Sequence, residues 1–449
     1  MEIKSKFILL MTALFLISTT VSASPRILQW HTDKGTPVYF VESNSLPIVD
    51  VRVIFDAGSA RDAGNAGVAV LTNALLAEGA ADKTSQQIAE QFENVGAQFG
   101  NGALRDMAWV SLRSLRDNQY LQPALAMLKD VLSKPNFSEE SFQRDLANLK
   151  IGRQSVKQSP SALGAEAFYK AIYGNHPYAS PINGTDESLA AMQRKHVLNF
   201  YDRHYVSSNA VIAIVGQLTR NEAENLANDL VSELNKGIKL PAIPVVKPLE
   251  ASQDIKIDFP SKQSHILMGQ TGVQRGDKDY FSLYVANHPF GGSGFSSRLV
   301  EEIREKRGLA YSVYSYFSPS RELGPFMMGM QTKNEQADQA VGLLKSELHK
   351  YWLDGPTDDE LEASVRNITG GFPLRIDSNK KIVEYLSMIG FYHLPLDYLH
   401  NFNRRIEAVT LDDIKSALKR RLTPEKMVTV TVGAQAKDSA INTSQVNAH

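Results

Sequence analysis

The chain has 449 residues, 43% of them hydrophobic and 22% charged, with a formal net charge of −1, enough for a large core and more than one domain. The near balance of charge offers no electrostatic footprint for nucleic acid or an anionic membrane. There is no cysteine, which excludes disulfides, thiolate metal sites and a cysteine nucleophile together.

Residues 1–23 read as a signal peptide: Lys4 and Lys6 precede an apolar run from Phe7 to Ile17, and Val21-Ser22-Ala23 supplies small residues at a cleavage site. The run is too short for a comfortable membrane span, and no cysteine stands near position 23 to carry a lipid. The mature chain is expected to start near Ser24. Removing Lys4, Lys6 and Glu2 takes away two cations and one anion, so the net charge moves from −1 to −2. Asn136, Asn183, Asn367 and Asn442 head Asn-x-Ser/Thr tripeptides and would permit glycosylation in a eukaryotic secretory route. The short signal suits a bacterium at least as well, and the expected location is the bacterial periplasm.

From residue 24 to 235 the pattern is that of one α+β domain. Alternation over 37–41 and 48–56 predicts the opening of a sheet. Apolar residues at spacings of three and four predict helices over 67–77, 84–95, 120–132, 139–158 and 161–173. Residues 106–115 alternate like a strand, 196–205 read as a helix, and the apolar stretch 210–216 closes the half as a strand. Residues 236–251, with three prolines and no helical period, read as a linker.

From 252 to 449 the order recurs. Strands are expected over 255–259, 264–270, 310–318, 324–332 and 427–433, and helices over 280–290, 296–306, 335–352, 358–370, 380–390 and 411–421. The closing strand "MVTVTVG" echoes "VIAIVG" at 211–216. The fold expected is therefore α+β, two duplicated domains, each a mostly antiparallel mixed sheet covered by helices. The glycines at 291–294 lack the Gly-Lys-Ser/Thr ending of a phosphate loop and do not follow a strand, so they read as a turn before a helix.

The segment "GGSGFSSRL" at 291–299, continuing through "EEIREKRGLAYS" to 312, resembles the second-domain signature of the pitrilysin/insulinase family of zinc peptidases, in the group that includes mitochondrial processing peptidase. Further resemblances follow in family order at 55–62 ("FDAGSARD"), 176–185, 201–216 and 422–433. In that family a helix carries His-x-x-Glu-His, whose histidines bind zinc and whose glutamate activates water. Aligned here, the first His falls on Val70, the Glu on Asn73 and the second His on Ala74, and the third ligand falls near Lys150. Valine and alanine have no lone pair, a neutral amide cannot accept the proton of an attacking water, and no carboxylate stands among Asn148, Leu149, Lys150, Ile151 and Gly152. The ten histidines include no pair four residues apart, so no relocated His-x-x-Glu-His exists.

The resemblance also implies that Arg304 and Tyr311 match an Arg/Tyr pair that reaches the zinc site of the opposite half of a closed chamber. A phenol there can donate to an oxyanion, and a guanidinium can fix the peptide. Without the resemblance, Arg304 reads as a solvated helix residue and Tyr311 as a strand residue half in the core. Residues 99–106 align with the family's substrate-pairing edge strand, with Gly100-Asn101 in place of Asn-Ala. The expectation is a zinc-less subunit holding no cofactor, paired with a homologous zinc-binding peptidase subunit and acting on peptides. The alternative is a silent pseudoenzyme serving as scaffold or peptide-binding module.

Overall fold

A computed structural model describes residues 25–434. The expected signal peptide and Asn442 lie outside the described residues. The first half contributes β1 (Leu28–His31), β2 (Pro37–Glu42), β3 (Ile48–Phe55), a two-residue ladder of β4 (Gly79–Ala80) with β5 (Lys83–Thr84), β6 (Gln98–Ala103), β7 (Ala108–Leu115) and β8 (Ala210–Gly216). The second contributes β9 (Gln253–Asp258), β10 (Gln263–Thr271), β11 (Ser312–Phe317), β12 (Pro325–Lys333) and β13 (Val428–Gly433).

The first sheet runs β1-β2-β8-β3-β7-β6 and the second β11-β12-β10-β13-β9. In the first, only β2 and β8 pair in parallel; in the second, only β13 and β9 do. Superposing β8 on β13 therefore carries β2, β3, β7 and β6 onto β9, β10, β12 and β11 with every pairing direction preserved. The echo between "VIAIVG" and "VTVTVG" is thus a topological duplication, with β1 the one strand added to the first sheet. Both closing strands are central and almost wholly buried, which is why they are continuous apolar or β-branched runs rather than alternating ones.

Each sheet has two apolar faces, and the chain covers them differently. Val38, Phe40, Val51, Val53 and Ile212 face helices of their own half. Their neighbours Tyr39, Val41, Ile54, Val211 and Ala213 belong instead to a core with Leu386 and Ile389, because the helix Asn379–Phe391 of the second half lies across β8 and β3. The exchange is reciprocal. The first half's helix Pro160–Tyr173 lies across β13 and β10, packing Phe168 and Ile172 against Val428, Val430 and Val432.

Close approach explains a glycine in the second-half helix. A Cβ on Gly390 would stand 2.6 Å from Val211 Cγ1 and 2.7 Å from the Tyr39 ring. Gly390→Ala is therefore expected to lower stability by about 1–3 kcal/mol through overpacking, measurable as a lower urea midpoint with unchanged m-value.

Polar contacts complete the junction. Asp106, buried at the β6–β7 turn, accepts hydrogen bonds from the Tyr392 hydroxyl (3.0 Å), the Arg321 backbone N–H (2.7 Å) and the Tyr178 hydroxyl. Asp56 is paired with Arg61 at 2.6 Å and with Arg321 of the other half. Burial works to raise the Asp56 carboxyl, but the two guanidiniums outweigh it and hold the group below its ordinary value. Residues 236–251 carry neither helix nor strand and are pinned by Arg61 Nη1 donating to the Pro241 carbonyl at 2.8 Å.

Two expected helices take another form. The helix expected over 280–290 is α-helical only to Asn287, and His288–Gly292 continues as a wider π-turn. Pro289 cannot donate to the α ladder, and the turn brings Gly291 so close to β11 that a Cβ there would meet Ser315 Oγ at 2.4 Å. The helix expected over 296–306 is a 3-10 turn, Gly294–Ser296, followed by a π-helix, Val300–Glu305. Apolar spacing cannot distinguish these tighter and wider forms from α-helix.

Candidate functional site

The helix expected to correspond to the family's metal helix is present at Val68–Leu75. Its N-cap Gly67 has φ +94°, in the left-handed region that glycine adopts without strain. The Asp62 carboxylate accepts from the backbone N–H of Gly67 (2.9 Å) and Ala69 (3.0 Å), satisfying donors that the first turn leaves open.

Val70 is half-buried and Ala74 exposed, while Asn73 is 1% exposed. Where the resemblance puts the family's general base, the Asn73 amide donates to the Trp109 carbonyl (3.2 Å) and the Tyr205 hydroxyl (3.1 Å). The Asn73 backbone carbonyl accepts from Asn101 Nδ2 at 2.7 Å. Asn73 and Asn101 thus join the helix to β6, β7 and buried Tyr205, and Asn101 is one of the two residues by which the edge strand departs from the family pattern. Asn73→Ala is expected to cost about 2 kcal/mol, two hydrogen bonds and an unsatisfied buried hydroxyl, read as a drop in denaturation midpoint.

Lys150 is exposed on the helix Glu139–Lys157, which packs beside Val68–Leu75. Among the described residues no group of three or more His, Asp or Glu side chains is placed to hold a metal ion. Zinc needs lone-pair donors converging at about 2 Å; a valine, an alanine, a hydrogen-bonded amide and an exposed ammonium do not fit it.

Two titratable residues that sequence reasoning missed flank this helix. Asp62 is pushed up to about 7 by burial, against the opposing effect of its two backbone hydrogen bonds. His204, 5% exposed and at the end of the helix Arg194–His204, is lowered to about 4 by burial and by the Arg61 and Arg203 charges. Both line a cavity of about 510 Å3. Neither carries a spacing signal in sequence.

Arg304 and Tyr311 do come together. The Arg304 guanidinium lies 5.8 Å from the Tyr311 ring and 4.9 Å from that of Phe295. Tyr311 is 82% exposed and Phe295 78%, so the bland expectation of a tyrosine half in the core is corrected: it precedes β11 and projects from the edge of the second sheet. No hydrogen bond, ion pair or ring contact among the described residues joins this pair to Val68–Leu75.

Comparison with known proteins adds the family. Residues 38–186 match insulinase (peptidase family M16), and residues 191–368 match the peptidase M16 inactive domain. The crystal structure of a peptidase M16 inactive domain from Pseudomonas fluorescens is 40% identical, covers 91% of this chain and 98% of that one, and superposes with a TM-score of 0.89. This chain belongs to peptidase family M16. Among its M16 relatives, the "Non-peptidase homolog YmxG" of Helicobacter pylori is 23% identical over 96% of this chain and 99% of that protein. The "Uncharacterized zinc protease YmxG" of Bacillus subtilis is 25% identical over 78% and 85%. The two-sheet architecture is the M16 fold, and matches to an inactive M16 domain and a non-peptidase homologue support a catalytically inactive member.

Proposed function

We propose that this M16 homologue is the zinc-less subunit of a two-subunit periplasmic metallopeptidase. A homologous partner would supply His-x-x-Glu-His and zinc, and this chain would supply Arg304, Tyr311 and half of the chamber wall. The observation that carries the reading is the exposed cluster of Phe295, Arg304 and Tyr311. Large aromatic rings left in solvent around a guanidinium make a surface suited to a partner's site. The Tyr311 hydroxyl, without a hydrogen-bond partner among the described residues, is free to donate to an oxyanion. The partner's zinc would generate the attacking water.

The test is reconstitution. Alone, the mature chain should carry no stoichiometric zinc and cleave no peptide; mixed with a homologue bearing an intact His-x-x-Glu-His, it should raise peptide cleavage. Chelator-sensitive cleavage by this chain alone would falsify the proposal. The scaffold reading is favoured by one observation, the Asn73–Asn101 clamp, which ties part of the edge strand to the helix. It gains ground if the two proteins associate without any rise in turnover.

A further inference from the structure

Where the two halves meet lies a cavity of about 500 Å3, within the size range of small-molecule sites, and its charge is one-sided. Arg61, Lys239, Arg275 and Arg321 line it, with Asp56 as the sole carboxylate. Asp56 is shared between Arg61 and Arg321, which leaves that trio with one positive charge. Arg275 and Lys239 form no ion pair among the described residues. The excess is therefore three positive charges in a chain whose total is near neutral. By contrast, Arg420, Arg421 and Arg298 of the second half are matched by Asp279, Asp277 and Glu360.

Two of the cavity's guanidiniums are held in place by rings. Arg321 stacks 4.4 Å from the centroid of Phe391, and Arg275 lies 5.5 Å from that of Tyr392. Arg275 Nε is buried without a hydrogen-bond partner, although an unsatisfied buried donor is costly. His393 also lines the cavity with φ +54°, at a helix C-terminus where glycine is usual. The cations come from four separate segments, one of them the stretch between the halves.

We propose that this cavity binds a small multivalent oxyanion of the phosphate type, which neutralises Arg61, Lys239, Arg275 and Arg321 together and so bridges the two halves. Guanidinium forks match tetrahedral oxyanions, and several cations facing one volume favour a ligand with more than one charge.

The experiment is calorimetric titration of the full mature chain with inorganic phosphate and pyrophosphate in low-salt chloride buffer, a readout independent of any peptidase partner. We expect one saturable site, tighter for pyrophosphate, weakened by added sodium chloride. Arg275→Gln and Lys239→Gln should each weaken binding by about tenfold, and Lys345→Gln, in a distant surface ion pair with Asp254, should not. Lys239 is exposed, so its substitution reads the site even if Arg275→Gln misfolds. Absence of saturable binding to either anion, or binding that Lys239→Gln leaves unchanged, overturns the proposal. Tighter binding of citrate than of pyrophosphate overturns the assignment to a phosphate-type anion.

Discussion

Tyr311→Phe is expected to abolish most of the peptidase activity that this chain lends to a zinc-binding partner, a loss on the order of 10²–10³ in turnover if its hydroxyl donates to the oxyanion. The substitution removes one oxygen from a ring that is 82% exposed, so it takes nothing from the core. Folding and association should therefore survive, and the loss should fall on kcat while the KM for peptide stays close to that of the wild-type pair. Size-exclusion chromatography of the mixture, run beside the kinetics, separates the cases. An intact complex with unchanged turnover would assign this chain to scaffolding, and a complex that falls apart would assign Tyr311 to the interface.

Acidification is expected to act on Asp62 and His204 in opposite senses. The folded-state value of Asp62, about 7, lies above the ordinary carboxyl value, so its proton stabilises the native state fully below about 4, and that contribution is lost as pH rises through 7. His204 is depressed to about 4, so burying it neutral is favourable above about 6.5, and that contribution disappears as pH falls through 4. Each effect is on the order of 3–4 kcal/mol. Over pH 7 to 4 the two largely cancel in the wild type. His204→Phe should become more stable on acidification over that range, Asp62→Asn less stable, and the double variant should be nearly flat. Urea denaturation at four pH values reads this directly; parallel profiles for the two single variants would refute it.

Much of the fold was legible because its signals are local. The apolar run at 210–216 and the β-branched run at 427–433 read as strands, and their recurrence indicated the duplication that the pairing directions of β2/β8 and β9/β13 bear out. The expected loss of metal chemistry rests on an equally local signal, since Val70, Asn73 and Ala74 sit at one helical spacing. What sequence could not indicate was exchange between distant segments. Nothing in the apolar periodicity of 379–391 says that it packs on β8 rather than on its own sheet, because a helix's apolar stripe specifies a partner surface without naming it. The Asn73–Asn101 clamp, the pairing of Asp56 with Arg321 and the opposed titrations of Asp62 and His204 depend in the same way on what the fold brings together.

The exchange of helices has a bearing on how the chain is made. As the polypeptide emerges from its N-terminus, the first sheet can complete its pairings once 210–216 has been synthesised, but one apolar face, Tyr39, Val41, Val211 and Ala213 among them, stays uncovered until 379–391 arrives. Helix 160–173, already formed, meanwhile waits for a sheet that closes only with 428–433. Transiently bare surfaces of this kind invite aggregation. The two halves should therefore resist separation: either one expressed alone should aggregate or need a holding chaperone, and co-expression of the two as unlinked pieces should rescue both.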